Sequence, residues 1–236
     1  VFEPLPLPLL RAIKERAGPG VTINDVLAAA LCGMLRRYEL RHGTQKTLQN
    51  PVFRALMIVM RPFPFAKDTN PLDMVCNNIS VTPLDLSKAI SEESEVGRIR
   101  RTQSETCKIK QGFRIDAAIW MVHNSLPFIP KVVTQRNITD VFSRYGMGFS
   151  NVRGPADQKY CLAGSKVKEV HVLCDNLRDL TVSFTYGNQV FLGARVHKQA
   201  VAHPKEFDWL LKETVTAMAK ELGIDPTHPE FVDQSG

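Results

Sequence analysis

The chain has 236 residues, of which 44% are hydrophobic and 23% charged. This length suits one large domain or two small ones, and the composition excludes a wholly disordered or collagen-like chain. Lys and Arg exceed Asp and Glu by 30 − 24 = 6, an excess that favours acidic partners such as phosphates, anionic lipid or nucleic acid.

The first ten residues, Val1–Leu10, are apolar and proline-rich, with no basic n-region or cleavage site of a signal peptide. A start at Val1 leads us to expect a piece of a longer protein. Pro8–Ala17 reads as a short helix ended by Gly18-Pro19-Gly20. Thr22-Ile23-Asn24-Asp25 then has the form of a capping box, with Thr22 as N-cap. The helix it opens runs to about His42 and is apolar most of the way round, so it should be buried. Ala55–Met60 reads as a central strand stopped by Pro62 and Pro64, and Cys76–Val81 as a second strand.

Glu92–Gly112 is a charged helix with acids first and bases later, the order that complements its dipole. Ile115–Val133 is apolar but broken by Asn124, Pro127 and Pro130, which predicts two short helices. Core packing is the default for Trp120, Met121, Phe128 and Ile129 there. Met147–Val152 is a short strand, and Val167–Leu173 alternates like another. Leu180–Tyr186 and Val190–Val196 form a hairpin across Gly187-Asn188. Pro204 opens a final helix whose apolar stripe runs from Phe207 to Leu222 before Gly223. The pattern is mixed α/β.

No nucleophile elbow, P-loop or dinucleotide fingerprint occurs. The five cysteines are scattered without a CxxC pair, and no two histidines have zinc-ligand spacing. A reduced, cytoplasmic protein is expected, and no run of 18 apolar residues predicts a membrane span. Asp25 suits the cap. Asn24 needs a partner of its own and is either a structural amide or a site donor. Asn77-Asn78 and Ser150-Asn151 pose the same question at strand ends, and the three junctions could converge on one cleft. Arg98, Arg100, Arg101, Lys108, Lys110 and Arg114 form a basic run. It reads as a solvated face, a contact for phosphates, or a contact for an anionic membrane. Bases are not interleaved with stacking aromatics, so nucleic acid is not an expected partner.

Several segments together resemble one family. TINDVLAAA (Thr22–Ala30) looks like the Asn-Asp helix start of wax ester synthase/diacylglycerol acyltransferases. MIVMR (Met57–Arg61) resembles that family's strand ending in arginine, and Asn77–Ser80 its following strand. SNVRGP (Ser150–Pro155) resembles its Ser-Asn-Val-Pro-Gly-Pro turn, with Arg153 in place of proline. YCLAGS (Tyr160–Ser165), TYG (Thr185–Gly187) and the final helix follow in the family's order. Cys76 replaces the glycine usual before Asn77, and His197 stands where an acid is common.

The resemblance implies an α/β fold: one mixed-sheet sandwich half of a chloramphenicol-acetyltransferase-like architecture. Residues 1–20 would be linker and short helix from the preceding half, 21–224 the C-terminal acyltransferase subdomain, and 225–236 a tail. The family's His-His-x-x-x-Asp-Gly motif is absent here, so the general base would belong to an N-terminal catalytic half. The implied reaction moves a fatty acyl group from acyl-CoA, a co-substrate, to a long-chain alcohol or diacylglycerol, with no resident cofactor or metal. In that reading Asn24 and Asp25 support catalysis, while Ser150, Asn151, Asn77, Arg98, Arg101 and Lys108 contact substrate. Two alternatives stay open: a non-catalytic lipid-binding or pseudo-enzyme half, and a carrier-dependent acyl transferase of the same fold. A peripheral membrane or lipid-droplet surface stays open as a further partner.

Overall fold

The computed structural model describes residues 1–43, 48–49, 51–60, 79–111, 113–125, 128–155, 160–174, 179–197 and 199–231. One six-stranded mixed sheet runs through it in the order β1-β8-β7-β4-β2-β3. Its strands are β1 (Leu5–Pro6), β2 (Arg54–Met60), β3 (Ile79–Asp85), β4 (Met147–Val152), β7 (Leu180–Tyr186) and β8 (Gln189–Arg195). Strands β2, β4 and β7 are parallel neighbours, and β1, β3 and β8 pair antiparallel. Strand β3 continues past Val81 through Pro83, which an edge strand tolerates because one side of its backbone needs no ladder partner. Gly187 and Asn188 both take positive φ, as the tight turn between β7 and β8 demands.

The helices are α1 (Leu7–Ala17), α2 (Ile23–His42), α3 (Ser87–Ser91), α4 (Glu95–Gln111), α5 (Arg114–Asn124), α6 (Lys131–Ser143) and α7 (Glu206–Glu221). Helix α2 is the centre of their layer. Val26 to Met34 are buried without a break, because α7 packs on one side of it and α4 on the other. Its run of alanines permits this close approach. Gly33 is tighter still, since a Cβ there would come 2.5 Å from Thr214 of α7 and 2.8 Å from the Arg98 guanidinium.

Register shows which sheet residues meet the helices. Ala55, Met57, Leu84, Met147, Phe149, Val190 and Leu192 share one face and join the helix side chains in the core. On β7 the residues facing that layer are Thr181, Ser183 and Thr185, all buried. The apolar alternates Leu180, Val182 and Tyr186 are buried on the other face.

That second face is covered by the segment 160–174. There Tyr186 Oη accepts from Tyr160 N at 2.7 Å and donates to the Val167 carbonyl at 3.1 Å. His171 meets Phe191 edge-on at 5.0 Å. The strand expected over Val167–Leu173 is not formed. The segment crosses a face of the sheet rather than lying along an edge, so its backbone has no ladder to join. Only a minimal hairpin forms nearby, β5 (Cys161–Leu162) with β6 (Ser165–Lys166).

Two expectations about α5 and α6 also change. The second helix runs on to Ser143, and none of its side chains is buried. Trp120, Met121 and Phe128 are 63%, 53% and 85% exposed, and Ile129 is exposed too, so these residues are not core. No other element packs closely on α6 among the described residues, which leaves that side of the helix pair open. No helix among the described residues is long and apolar enough to cross a membrane.

A buried charge clamps α2, α3 and α4 together. Arg98 is 1% exposed. Its Nε donates to the Ala89 carbonyl at 3.1 Å and its Nη2 to the Glu92 carbonyl at 2.6 Å, while Nη1 pairs with Glu95. Glu95 also receives Arg37 of α2 at 2.7 Å. Burial pushes the neighbouring Cys32 thiol up to about 12, with Arg98 drawing it partly back. Replacing Arg98 by Met would leave two carbonyls and half a carboxylate without their donor. We expect Arg98→Met to cost about 3–5 kcal/mol in denaturant unfolding, as for removal of one member of a buried ion pair.

Candidate functional site

The sequence between Gly20 and Val26 determines where α2 starts, and the capping box forms in full. Asp25 N donates to Thr22 Oγ1 at 3.4 Å, and Thr22 N donates to Asp25 Oδ2 at 2.7 Å. Thr22 Oγ1 also donates to that oxygen at 2.7 Å. The second carboxylate oxygen, Oδ1, accepts from Thr106 Oγ1 of α4 at 2.5 Å. Asp25 is fully buried and every contact it makes is internal. It is therefore a brace that ties the first turn of α2 to the last turns of α4.

With α2 held there, Asn24 projects from the first turn towards the sheet and is half-buried. Asn151, the penultimate residue of β4, donates its Nδ2 to Asn24 Oδ1. Asn151 Oδ1 in turn accepts from Ser183 Oγ of β7 at 2.7 Å. The three residues form one chain of hydrogen bonds from a fully buried serine outward to Asn24. Among the described residues, Asn24 Nδ2 has no protein partner. The chain reaches its outer end beside the carboxyl ends of parallel strands, where open α/β sheets receive their ligands. What this arrangement offers chemically is a neutral, oriented N–H donor at the outer end of a partly buried chain. Such a donor can stabilise oxygen that becomes negative.

The other residues singled out from sequence divide sharply. Two of the three asparagine junctions do converge, those of Asn24 and Asn151. The third, Asn77, lies outside the described residues, as do Arg61 and Cys76. Ser150 is separated from Asn151, because successive strand residues point to opposite faces, and its side chain shares the Ile58 and Val182 face. Only its carbonyl reaches the chain, 3.4 Å from Ser183 Oγ.

Arg98 is corrected outright: a guanidinium 1% exposed and held on three protein acceptors is out of reach of a solvent-borne phosphate. The charge run had suggested one exposed face, but Ile99, Thr102, Thr106 and Ile109 place Arg98 on the buried side of α4. Arg101 and Lys108 are 58% and 66% exposed, and they pair loosely with Glu92 at 3.4 Å and with Glu105 at 2.6 Å. Sequence reasoning missed Thr106 and Ser183. For Ser183 a signal existed in the hydroxyl side of β7. Both faces of β7 are buried, so those hydroxyls are interior and need partners.

Comparison with known proteins bears on the family and the fold. The WS/DGAT C-terminal domain family matches residues 75–219, more than half of the chain. The chain belongs to that family. No curated protein matches the sequence at a significant level. Among solved structures, this WS/DGAT C-terminal domain resembles the wax ester synthase/diacylglycerol acyltransferase from Marinobacter aquaeolei VT8. The TM-score is 0.66 at 17% identity, covering 94% of this chain and 48% of that one. It also resembles a trichothecene 15-O-acetyltransferase from Fusarium sporotrichioides, with TM-score 0.53, 13% identity and coverage of 92% and 46%. A third likeness is polyketide synthase associated protein 5 from Mycobacterium tuberculosis, with TM-score 0.51, 12% identity and coverage of 92% and 52%. At these identities the likeness shows the fold, a chloramphenicol-acetyltransferase-like α/β half. The chain spans about half the length of the structures it resembles.

The brace generates a direct expectation. Asp25→Ala removes the cap, worth about 1 kcal/mol, together with a buried bond from Thr106 to a carboxylate, worth about 1.5–3 kcal/mol. A fall of about 2–4 kcal/mol in unfolding free energy is expected, and an unchanged denaturation midpoint would refute the bracing role.

Proposed function

We propose that this chain is the C-terminal half of an O-acyltransferase that moves a fatty acyl group from acyl-CoA to a long-chain alcohol or diacylglycerol. The observation that carries the reading is the pairing of Asn24 with Asn151. It joins two of the motifs that resemble the WS/DGAT pattern at one point on the sheet's carboxyl edge, in a chain that belongs to that family.

In this reading a histidine of the other half takes the proton of the acceptor hydroxyl. The alkoxide oxygen attacks the thioester carbonyl, the carbonyl oxygen becomes negative, and the CoA thiolate leaves as the carbonyl re-forms. The described wall supplies Asn24 Nδ2 for that oxyanion. One such donor is worth about 3–4 kcal/mol in other acyl-transfer enzymes. The exposed apolar side chains of α5 and α6 fit a surface that the rest of the enzyme covers, since monomers rarely leave large contiguous apolar patches in water. Arg101 and Lys108 are the cations offered to CoA phosphates. Arg98 is not among them.

Turnover is measured as thiol release from a long-chain acyl-CoA in the presence of a long-chain alcohol or diacylglycerol, with a carrier-bound acyl donor as comparison. The complete enzyme, with both halves, should release thiol only from acyl-CoA, and residues 1–236 alone should release none. Release by the fragment alone would place the base in this chain and overturn the division of roles. In the complete enzyme Asn24→Ala should lower turnover at least tenfold while leaving the melting temperature close to that of the parent. Matched losses of stability and activity would make Asn24 a brace.

The charge assignment is tested with Arg101→Ala and Lys108→Ala together. Acyl-CoA affinity should weaken at low ionic strength, and the difference should fade as salt screens exposed charges. Equal affinity of variant and parent at low salt would leave the run a solvated helix face.

A further inference from the structure

The chain of hydrogen bonds behind Asn24 has a direction, and that direction decides what Asn24 shows to a ligand. Ser183 is fully buried, and its hydroxyl carries a single proton with two acceptors in reach. Asn151 Oδ1 is at 2.7 Å and the Ser150 carbonyl at 3.4 Å. The first distance is that of a good O–H···O bond and the second is long for one, so the proton goes to Asn151. With its oxygen engaged by Ser183, Asn151 must turn its Nδ2 to Asn24, and Asn24 must answer with Oδ1. Each amide's orientation is set by its partner.

The reverse arrangement is also connected. Ser183 would donate to the Ser150 carbonyl, Asn151 Nδ2 to Ser183, and Asn24 Nδ2 to Asn151. That arrangement turns the Asn24 carbonyl oxygen outward. The two arrangements present opposite groups at the same place, and only the first can meet an oxyanion.

We propose that Ser183 is a positioning residue, whose hydroxyl sets both amides so that Asn24 presents its NH2 group, not its oxygen, to the reacting acyl carbonyl. This rests on the acyl-transfer reading above. Ser183 touches no substrate. It acts through Asn151, across the β7–β4 pairing that sets Ser183 beside Asn151.

Two variants of the complete enzyme separate this from a merely structural role. Ser183→Ala removes the proton that orients the chain. Asn151→Asp keeps every link bonded but reverses the outer one. The carboxylate still accepts from Ser183, and its second oxygen now draws the Asn24 NH2 inward. Both variants should lower kcat about tenfold or more, with KM for acyl-CoA within about twofold of the parent. Asn151→Asp should do so without a loss of melting temperature. Each is then repeated in the Asn24→Ala background. If both act through the Asn24 donor, neither should lower kcat further there, whereas a structural defect would multiply with it.

Parent-like kcat in both variants, or losses that multiply with Asn24→Ala, would overturn the proposal while leaving the acyl-transfer reading intact. Failure of that reading is distinguishable, because the unsubstituted enzyme would then release no thiol at all. If Ser183→Ala does not fold, Asn151→Asp carries the test alone.

Discussion

The position of the first turn of α2 is the constraint on which the candidate site depends. A helix start is ordinarily a loose place, with orphan N–H groups and fraying ends. Here the Asp25 carboxylate receives both donors of Thr22 on one oxygen and Thr106 on the other, inside the protein. Local capping and a tertiary contact are thereby made by one side chain. The start of α2 cannot slide by a residue without breaking both. Because α2 lies between α4 and α7, fixing its start also fixes the layer that covers the sheet. Asn24 comes next to Asn151 as a consequence: its neighbour in sequence is pinned, and the helix turn does the rest.

The same layer contains charge where charge is costly. Arg98 and Glu95 form a buried pair joined by the half-buried Arg37, and Glu221 of α7 caps it at the start of α4 by accepting from Ser94 Oγ and from Glu95 N at 2.7 Å. Burial alone would raise the Glu221 carboxyl. The donors from Ser94, Glu95 and Val96, with Arg98 nearby, outweigh it and hold the group below the usual carboxylate range. A network of this kind adds less net stability than its contact distances suggest, because desolvation opposes it. What it does supply is register, since each partner on α2, α4 and α7 has one place to be. That register underlies the fit of α2 against Thr214 at Gly33.

Much of this was legible from residues alone, and the exceptions share a cause. Helix α2, its capping box, strand β4, the β7–β8 hairpin and the final helix follow from local signals such as Thr22, Gly187-Asn188 and Gly223. Convergence of Asn24 and Asn151 could be suspected because both sit beside apolar runs at element ends. Burial of Arg98 could not, because a basic run looks the same whether one member faces in or out. Only the tertiary packing of Ile99, Thr102 and Thr106 decides it. The Val167–Leu173 segment has the period of a strand but no sheet edge to join. Trp120 and Phe128 have core composition but, among the described residues, no core to enter.

Among the described residues, little of the candidate site can titrate. Its outward chain consists of one hydroxyl and two amides, none of which changes charge near neutral pH. Asp25, the acid next to Asn24 in sequence, is spent on internal donors. A wall of this kind presents the same donor whatever the protonation of its surroundings, and its preorganisation is carried by geometry instead of by charge. An amide held from behind also avoids a weakness of a cation in the same place. On the proposed reading a Lys or Arg would attract the phosphates of CoA as well as the oxyanion, and so would bind ground state and transition state alike. A neutral donor of fixed direction discriminates by position, and gains most when a carbonyl oxygen at that position becomes negative. On the proposed acyl-transfer reading, that places the electrostatic selectivity in the direction of a single N–H bond, and the direction in the buried hydroxyl behind it.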